Sequence, residues 1–281
     1  MNQTQSGPQG LEELDPLDAR VARTLDNIRC KLLVMSGKGG VGKSTVACQL
    51  ALGLAERGFK VGLMDVDLHG PSLPRMLGLE GRAVIDEKGG AIKPIIYSPN
   101  LRVISVESLL PDRDSSVIWR GPLKIAVIKQ FIGDVRWGEL DYLIIDSPPG
   151  TGDEPLTVAQ EVTGAMAVVV TTPQEIALAD VRKSLDFCLQ VELPVLGLVE
   201  NMAAMACPHC GEPIDLFGQG GGETTAKDYA VNFLGSIPLD HRITTAADQG
   251  APLTLSQDEQ GAGPAVAQVV EAIYQRTLGR S

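Results

Sequence analysis

The chain has no uninterrupted apolar run approaching about 18 residues, so a membrane-spanning helix is not expected. Cations are scarce: 24 Lys and Arg stand against 35 Asp and Glu, a net charge of −11 at pH 7. A general nucleic-acid surface needs clustered Lys and Arg to displace phosphate counterions, so that class is disfavoured. The acidic balance leaves room for one local basic site. Residues 1–10 lack the cationic start and apolar stretch of a secretory leader. The expected location is therefore the cytoplasm, with the five cysteines reduced. Internal repeats and low-complexity tracts are absent as well.

What is present is material for a large core. The chain has 281 residues, of which 44% are hydrophobic. Apolar strand-like runs at 31–35, 60–64, 101–106, 142–145, 166–170, 195–200 and 232–237 alternate with helical patterns at 44–57, 123–135, 153–162, 177–190, 224–230 and 264–278. Several of the runs are apolar throughout, the mark of strands buried on both faces. The expectation is an α/β fold, a doubly wound and mainly parallel sheet with helices on both faces. Residues 1–28 read as a flexible N-terminal arm, weakly helical from Asp18, and 29–281 as one domain. A hairpin is expected at 83–97, turning at Lys88, Gly89 and Gly90.

The loop Ser36, Gly37, Lys38, Gly39, Gly40, Val41, Gly42, Lys43, Ser44, Thr45 follows the first strand and opens a helix. That context is what a phosphate-binding loop requires: glycines let backbone N–H groups turn around a phosphate, and the helix N-terminus favours the anion. Lys43 would sit on the β- and γ-phosphates and the Ser44 hydroxyl on Mg²⁺. Lys38 is a second lysine that an ordinary loop of this kind does not need.

Ligands of open α/β sheets bind beyond the carboxyl ends of the strands, where acidic residues gather here. Asp146 follows four apolar strand residues, the placement of an aspartate that supports Mg²⁺. Asp65 and Asp67 leave another strand two residues apart, so both are expected on one side, one in the Mg²⁺ shell and one orienting water. Gly150 and Gly152 would let the backbone approach a γ-phosphate and retreat when it leaves.

The run Lys38 to Thr45 resembles the deviant Walker A motif of the ATPase class that includes MinD, ParA and the nitrogenase iron proteins. Within that class the chain resembles the Mrp/ApbC iron–sulfur carrier ATPases, through segments at 69–72, 119–122, 141–153, 171–175, 200–202, 207–211 and 235–240. The resemblance implies a P-loop ATPase in which Lys38 reaches across a dimer to the partner's nucleotide. It also implies that Asp67 positions water, Asp146 is the Walker B residue, and Asn201 and Pro238 contact adenine. Where the family often has a serine soon after the Asn-Met pair, this chain has Ala203, Ala204, Met205 and Ala206. The extra N-terminal domain and four-cysteine motif of some relatives are missing too.

Cys207 and Cys210, in a loop near 202–223, can grip one soft metal centre. Four ligands normally complete such a site, and Cys30, Cys48 and Cys188 are isolated, expected as core thiols. Two subunits each donating a pair would supply four. By itself the pair could equally bind zinc, act as a redox dithiol or shape a turn, and His209 is expected to face solvent. The glycine run 218–222 is expected to let the region move.

With the family context, the expectation is an ATP- and Mg²⁺-dependent homodimer that bridges a [4Fe–4S] cluster and passes it from an assembly scaffold to apo-proteins, without nucleic acid or membrane. Two other readings stand beside it: a MinD/ParA-like positioning ATPase and an ATPase with structural zinc. The last helical pattern, with Arg276 and Arg280 as cations and Tyr274 as its aromatic, reads as packed on the domain instead of as a membrane anchor.

Overall fold

The structure, a computed structural model of the chain, describes residues 15–68, 70–79, 83–86, 90–109, 121–207, 210, 212–252 and 261–278. Helix α1 (Pro16–Asp26) leads into strand β1 (Ile28–Ser36), followed by α2 (Lys43–Glu56) and β2 (Val61–Asp65). A short helix, α3 (Leu73–Met76), and a ribbon of β3 (Val84–Ile85) with β4 (Ile92–Lys93) precede β5 (Ile95–Ser98) and β6 (Leu101–Ser105). Next come α4 (Gly121–Gly133), β7 (Leu140–Asp146), α5 (Asp153–Glu161), β8 (Ala165–Thr171), α6 (Glu175–Gln190) and β9 (Val195–Ala203). A second ribbon, β10 (Met205–Ala206) with β11 (Pro213–Ile214), is followed by α7 (Gly221–Asp228), β12 (Phe233–Pro238), α8 (His241–Asp248) and α9 (Gly263–Thr277).

Eight strands form one sheet in the order β12-β9-β8-β1-β7-β2-β6-β5. Every pairing is parallel except that of edge strand β5 with β6. Along β1 the side chains divide between two cores: Leu32 and Val34 pack with α2 and α9, while Leu33 and Met35 pack with α4 and α6. Alternation across the pleat therefore buries both faces, which is why the strand reads as one unbroken apolar run. The expected doubly wound α/β architecture is present.

The N-terminal region differs from expectation. Residues 1–14 of the expected flexible arm lie outside the described residues. Residues Pro16–Asp26, however, form a helix capped by the Asp15 carboxylate and packed on α4 through buried Val21 and Leu25. Arg20 Nε donates to Asp134 at 2.7 Å and Lys129 donates to Asp18 at 2.9 Å. The helicity expected from Asp18 is present from Pro16; its packing on the domain was not legible because only two of its residues are buried.

The expected hairpin forms between Val84–Ile85 and Ile92–Lys93, while Lys88 and Gly89 lie outside the described residues. Helix α9 buries Val266, Val269, Val270 and Ile273 against the domain, as its pattern suggests. Among the described residues, no helix is long and apolar enough to cross a membrane.

Candidate nucleotide site and cysteine ribbon

β1 delivers the glycine loop at the centre of the sheet. Ser36 Oγ donates to the Lys38 carbonyl at 2.9 Å, folding the loop back at its start. Gly40 and Gly42 sit at φ 79° and 77°, a left-handed conformation that glycine adopts without side-chain strain. Gly37 is required for another reason: a β-carbon there would stand 2.3 Å from the Asp180 backbone carbon of α6. Gly42 caps α2 with no side-chain hydrogen bond, so the first N–H groups of that helix face the loop without a side-chain acceptor.

A cavity of about 320 Å³ lies over this loop. Lys38, Gly39, Gly40, Gly42, Lys43, Ser44 and Thr45 line it together with Asp67 from the β2 end. Ser36, Ser72, Met76 and Pro149 complete the wall; sequence reasoning assigned them no role, since none carries a phosphate-binding signal of its own. Lys38 is half-buried, and among the described residues its ammonium has no hydrogen-bond or ion-pair partner.

Lys43 is 6% exposed, and its Nζ donates to Asp146 Oδ1 at 2.5 Å and to Ser44 Oγ at 3.2 Å. Asp146 Oδ2 is buried and accepts no hydrogen bond among the described residues. An unsatisfied buried carboxylate oxygen beside a serine hydroxyl is a chemically suitable neighbourhood for Mg²⁺ and its waters.

Asp65, like Asp146, is buried and does not line the cavity that Asp67 faces. It accepts from Ser105 Oγ at 3.2 Å and from the Asp67 N–H at 3.1 Å. The strand register sets it against Asp146. Burial pushes the Asp65 carboxyl well above its ordinary range, the Asp146 charge adds to this, and Lys43 opposes it. Asp146 is raised as well by burial, with Lys43 and the Ser44 hydroxyl pulling it back.

The loop after β7 is tied to the glycine loop. Ser147 Oγ donates to the Val34 carbonyl at 3.0 Å, and the Gly150 N–H donates to the Ser36 carbonyl at 2.8 Å, with Gly150 at φ 87°. Gly152 then caps α5. Gly150 thus takes the left-handed turn of this loop, a conformation glycine adopts without strain.

A second, narrower cavity of about 40 Å³ adjoins the first through Thr45. Asn201, Met202, Ile237 and Pro238 line it at the paired ends of β9 and β12. Asn201 Nδ2 donates to the Val41 carbonyl at 2.9 Å, so the strand end holds the glycine loop in place. Asn201 and Pro238 are thus brought together, beside the larger cavity.

β9 continues into β10 and so to Cys207, which is half-buried, and Cys210, which is exposed; neither forms a disulfide. The ribbon pairs Met205 with Ile214, and the Cys207 N–H donates to the Glu212 carbonyl at 2.8 Å. Pro208 and His209, like His69, Trp119 and Arg120 of the motif segments, lie outside the described residues. Among the described residues, no three His, Cys, Asp or Glu side chains gather as a metal site. Cys30, Cys48 and Cys188 are core thiols, and burial pushes both Cys48 and Cys188 up to about 12.

The glycine run is partly packed into the fold. Gly218 and Gly220 have positive φ, but Gly221 and Gly222 start α7 in close contact, where β-carbons would meet Leu178 Cδ1 at 2.5 Å and Glu200 Cβ at 2.9 Å. Glu200, buried at the end of β9, accepts from the Gly222 N–H at 2.7 Å and from Ser236 Oγ at 3.1 Å. The sequence marks it only as part of a motif, because its structural partners are distant along the chain.

A family model described as ParA, NUBPL iron-transfer P-loop NTPase, matches residues 27–274. The iron-sulfur cluster carrier protein of Methanocaldococcus jannaschii is 46% identical over 239 residues, covering 85% of this chain and 82% of that protein. The cytosolic Fe-S cluster assembly factor CFD1 of Kluyveromyces lactis is 52% identical over 223 residues, 77% of this chain and 79% of that protein. Among solved structures, a nucleotide-binding protein from Archaeoglobus fulgidus in complex with ADP superposes with TM-score 0.74 at 40% identity, covering 88% of this chain and 95% of that one. The cell division ATPase MinD of Pyrococcus furiosus superposes with TM-score 0.64 at 25% identity, over 88% and 99% of the two chains.

Proposed function

We propose, from the family to which this chain belongs, the NUBPL iron-transfer P-loop NTPases, that it is an ATP-dependent carrier of a [4Fe–4S] cluster. The observation that supports this best is the course of one strand: β9 presents Asn201 to the glycine loop and runs on through the ribbon to Cys207. A nucleotide site and a thiol pair therefore share a single structural element.

The loop N–H groups and Lys43 bind the phosphates, the larger cavity houses them, and the narrower one beside Asn201 and Pro238 accepts the base. Ser44 and Asp146 are the residues that would hold a Mg²⁺, whose chemistry there would be to neutralise phosphate charge. Asp67, facing the same cavity, orients the attacking water. Asp65, buried beside Asp146, is a supporting carboxylate that orders the Asp67 backbone.

The active unit is a homodimer. Lys38, with no partner among the described residues, reaches the nucleotide of the second copy. Cys207 and Cys210 from each copy supply the four thiolates that a cluster needs and that one chain lacks among its described residues. The cluster is cargo, taken from an assembly scaffold and given to apo-proteins, with ATP binding and hydrolysis biasing the two arrangements of the dimer. The work is done in the cytosol, as the naming of relatives such as the Kluyveromyces lactis factor suggests.

Anaerobic reconstitution with iron and sulfide tests this reading, comparing the parent with Cys207→Ala/Cys210→Ala. Cluster absorbance at one cluster per dimer, lost in the variant, is the expected result. Zinc without iron and sulfide would overturn it, as would transfer indifferent both to ATP and to loss of Lys43. Lys38→Ala should still bind nucleotide as a monomer but fail to dimerise with ATP, measured by light scattering.

A further inference from the structure

Between Asn201 and Cys207 the chain leaves the main sheet, and a single residue marks the departure. In the β9–β12 ladder Asn201 pairs with Ile237 and Ala203 with Pro238, so Met202 is an extra residue between two partners that are adjacent on β12. Its φ is 55°, the left-handed region that a side chain larger than glycine occupies at a cost. A bulge of this kind bends a strand and re-aims the residues beyond it, in this chain β10 and Cys207.

The Met202 side chain belongs to the nucleotide side. It lines the narrower cavity with Asn201 and Pro238, and its Cε lies 3.3 Å from the position a β-carbon on Gly42 would take. The two flanks of the bulge are held unequally. Asn201 is pinned to the Val41 carbonyl at 2.9 Å, whereas the Ala203 carbonyl accepts from the Leu239 N–H at a long 3.4 Å. Hydrogen bonds weaken toward that length, so displacement at the bulge passes to the ribbon more readily than to the glycine loop.

We propose that Met202 is a positioning residue that transmits occupancy of the narrower cavity to Cys207 and Cys210. This rests on the reading that one machine holds both nucleotide and thiol-bound cargo. A base entering the cavity meets the Met202 side chain, the strained bulge changes its backbone angles, and the ribbon that carries the thiols turns with it. Strain at a bulge makes the two backbone arrangements closer in energy than a regular strand would allow.

The test uses the full-length, reduced, metal-free protein and reads alkylation of Cys207 and Cys210 by a maleimide, resolved by peptide mass spectrometry. Mg²⁺ with ADP or with ATPγS is the probe. In the parent, nucleotide should change the alkylation rate by about fivefold or more, the lower end of ordinary coupling between sites. Met202→Leu, unbranched at Cβ and of similar size, should keep that response. Met202→Gly adopts φ 55° without strain and so should fold; read at nucleotide concentrations that calorimetry shows to saturate each variant, its response should fall below about twofold.

A full response in Met202→Gly would overturn the proposal, because a purely structural bulge would affect stability and not this ratio. So would a parent whose thiols ignore bound nucleotide. The carrier reading is scored separately by iron and sulfide uptake. A Met202-dependent thiol response in a protein that takes up no cluster would support the coupling and sink the carrier reading.

Discussion

Asp65 and Asp146 stand directly opposite each other at the paired ends of β2 and β7, 1% and 0% exposed, with Lys43 Nζ 2.5 Å from Asp146 Oδ1. Two buried carboxylates thus share one lysine. The ammonium serves Asp146 directly, while burial raises the Asp65 carboxyl well above the ordinary 3.8 and the Asp146 charge adds to this.

A raised native carboxyl makes the folded state hold its proton after the unfolded chain has lost it. Stability should therefore fall as pH rises from 3.8 toward the native value of Asp65, by about 1.4 kcal/mol per pH unit for one proton. Asp65→Asn cannot ionise and keeps the shape. Melting curves across pH should show its stability relative to the parent growing through that window and then levelling. A constant offset would mean that Asp65 is ionised in the fold.

Lys43→Ala removes the one cation hydrogen-bonded to Asp146 among the described residues. The expected loss is about 2 to 3 kcal/mol at neutral pH, below the full cost of breaking a buried pair because the carboxylates can take up a proton. Lys43→Ala/Asp146→Asn should recover most of that stability in denaturant titrations. Neither variant should bind nucleotide in calorimetry.

Two glycines of the same loop should respond in opposite ways. In Gly37→Ala the new β-carbon would collide with the Asp180 backbone at 2.3 Å, which forces the loop off α6. A loss of about 1 to 3 kcal/mol is expected, together with weakened nucleotide binding. In Gly39→Ala the nearest atom is Pro149 Cγ at 3.8 Å, an ordinary contact, so the melting temperature should hardly move. Equal destabilisation of the two would contradict the packing described.

Glu200→Ala should loosen α7 from the sheet. The carboxylate holds the Gly222 N–H and Ser236 Oγ, and leaving these without an acceptor is worth about 1 to 3 kcal/mol. Amide exchange at Gly222 to Thr224 should accelerate more than exchange in β1. An unchanged exchange pattern around α7 would show that other contacts hold the helix.

Much of this architecture was legible in the sequence. All seven strand-like runs became strands of the main sheet, and those buried on both faces, such as Leu140–Asp146 and Ala165–Thr171, were the plainest because both faces call for apolar residues. The glycine loop was legible because its chemistry is local: backbone turn, helix start and lysine lie within ten consecutive residues. The antiparallel edge strand Ile95–Ser98 was blurred into the expected hairpin, since half-exposed residues such as Ile96 carry no clean alternation. Helix α8 was missed for a similar reason, burying only Ala247.

The sequence by itself determined the two chemistries: a phosphate loop carrying Lys38 and Lys43, and a pair of thiols at Cys207 and Cys210. It did so because each is written in neighbouring residues. Only the tertiary structure decided how they relate. It set Asp65, buried, against Asp146 as well as against the Asp67 backbone, placed Asn201 on the Val41 carbonyl, and put the bulge at Met202 on the path to the thiols. Those relations join residues far apart along the chain, and strand register, which no local pattern records, is what brings them together.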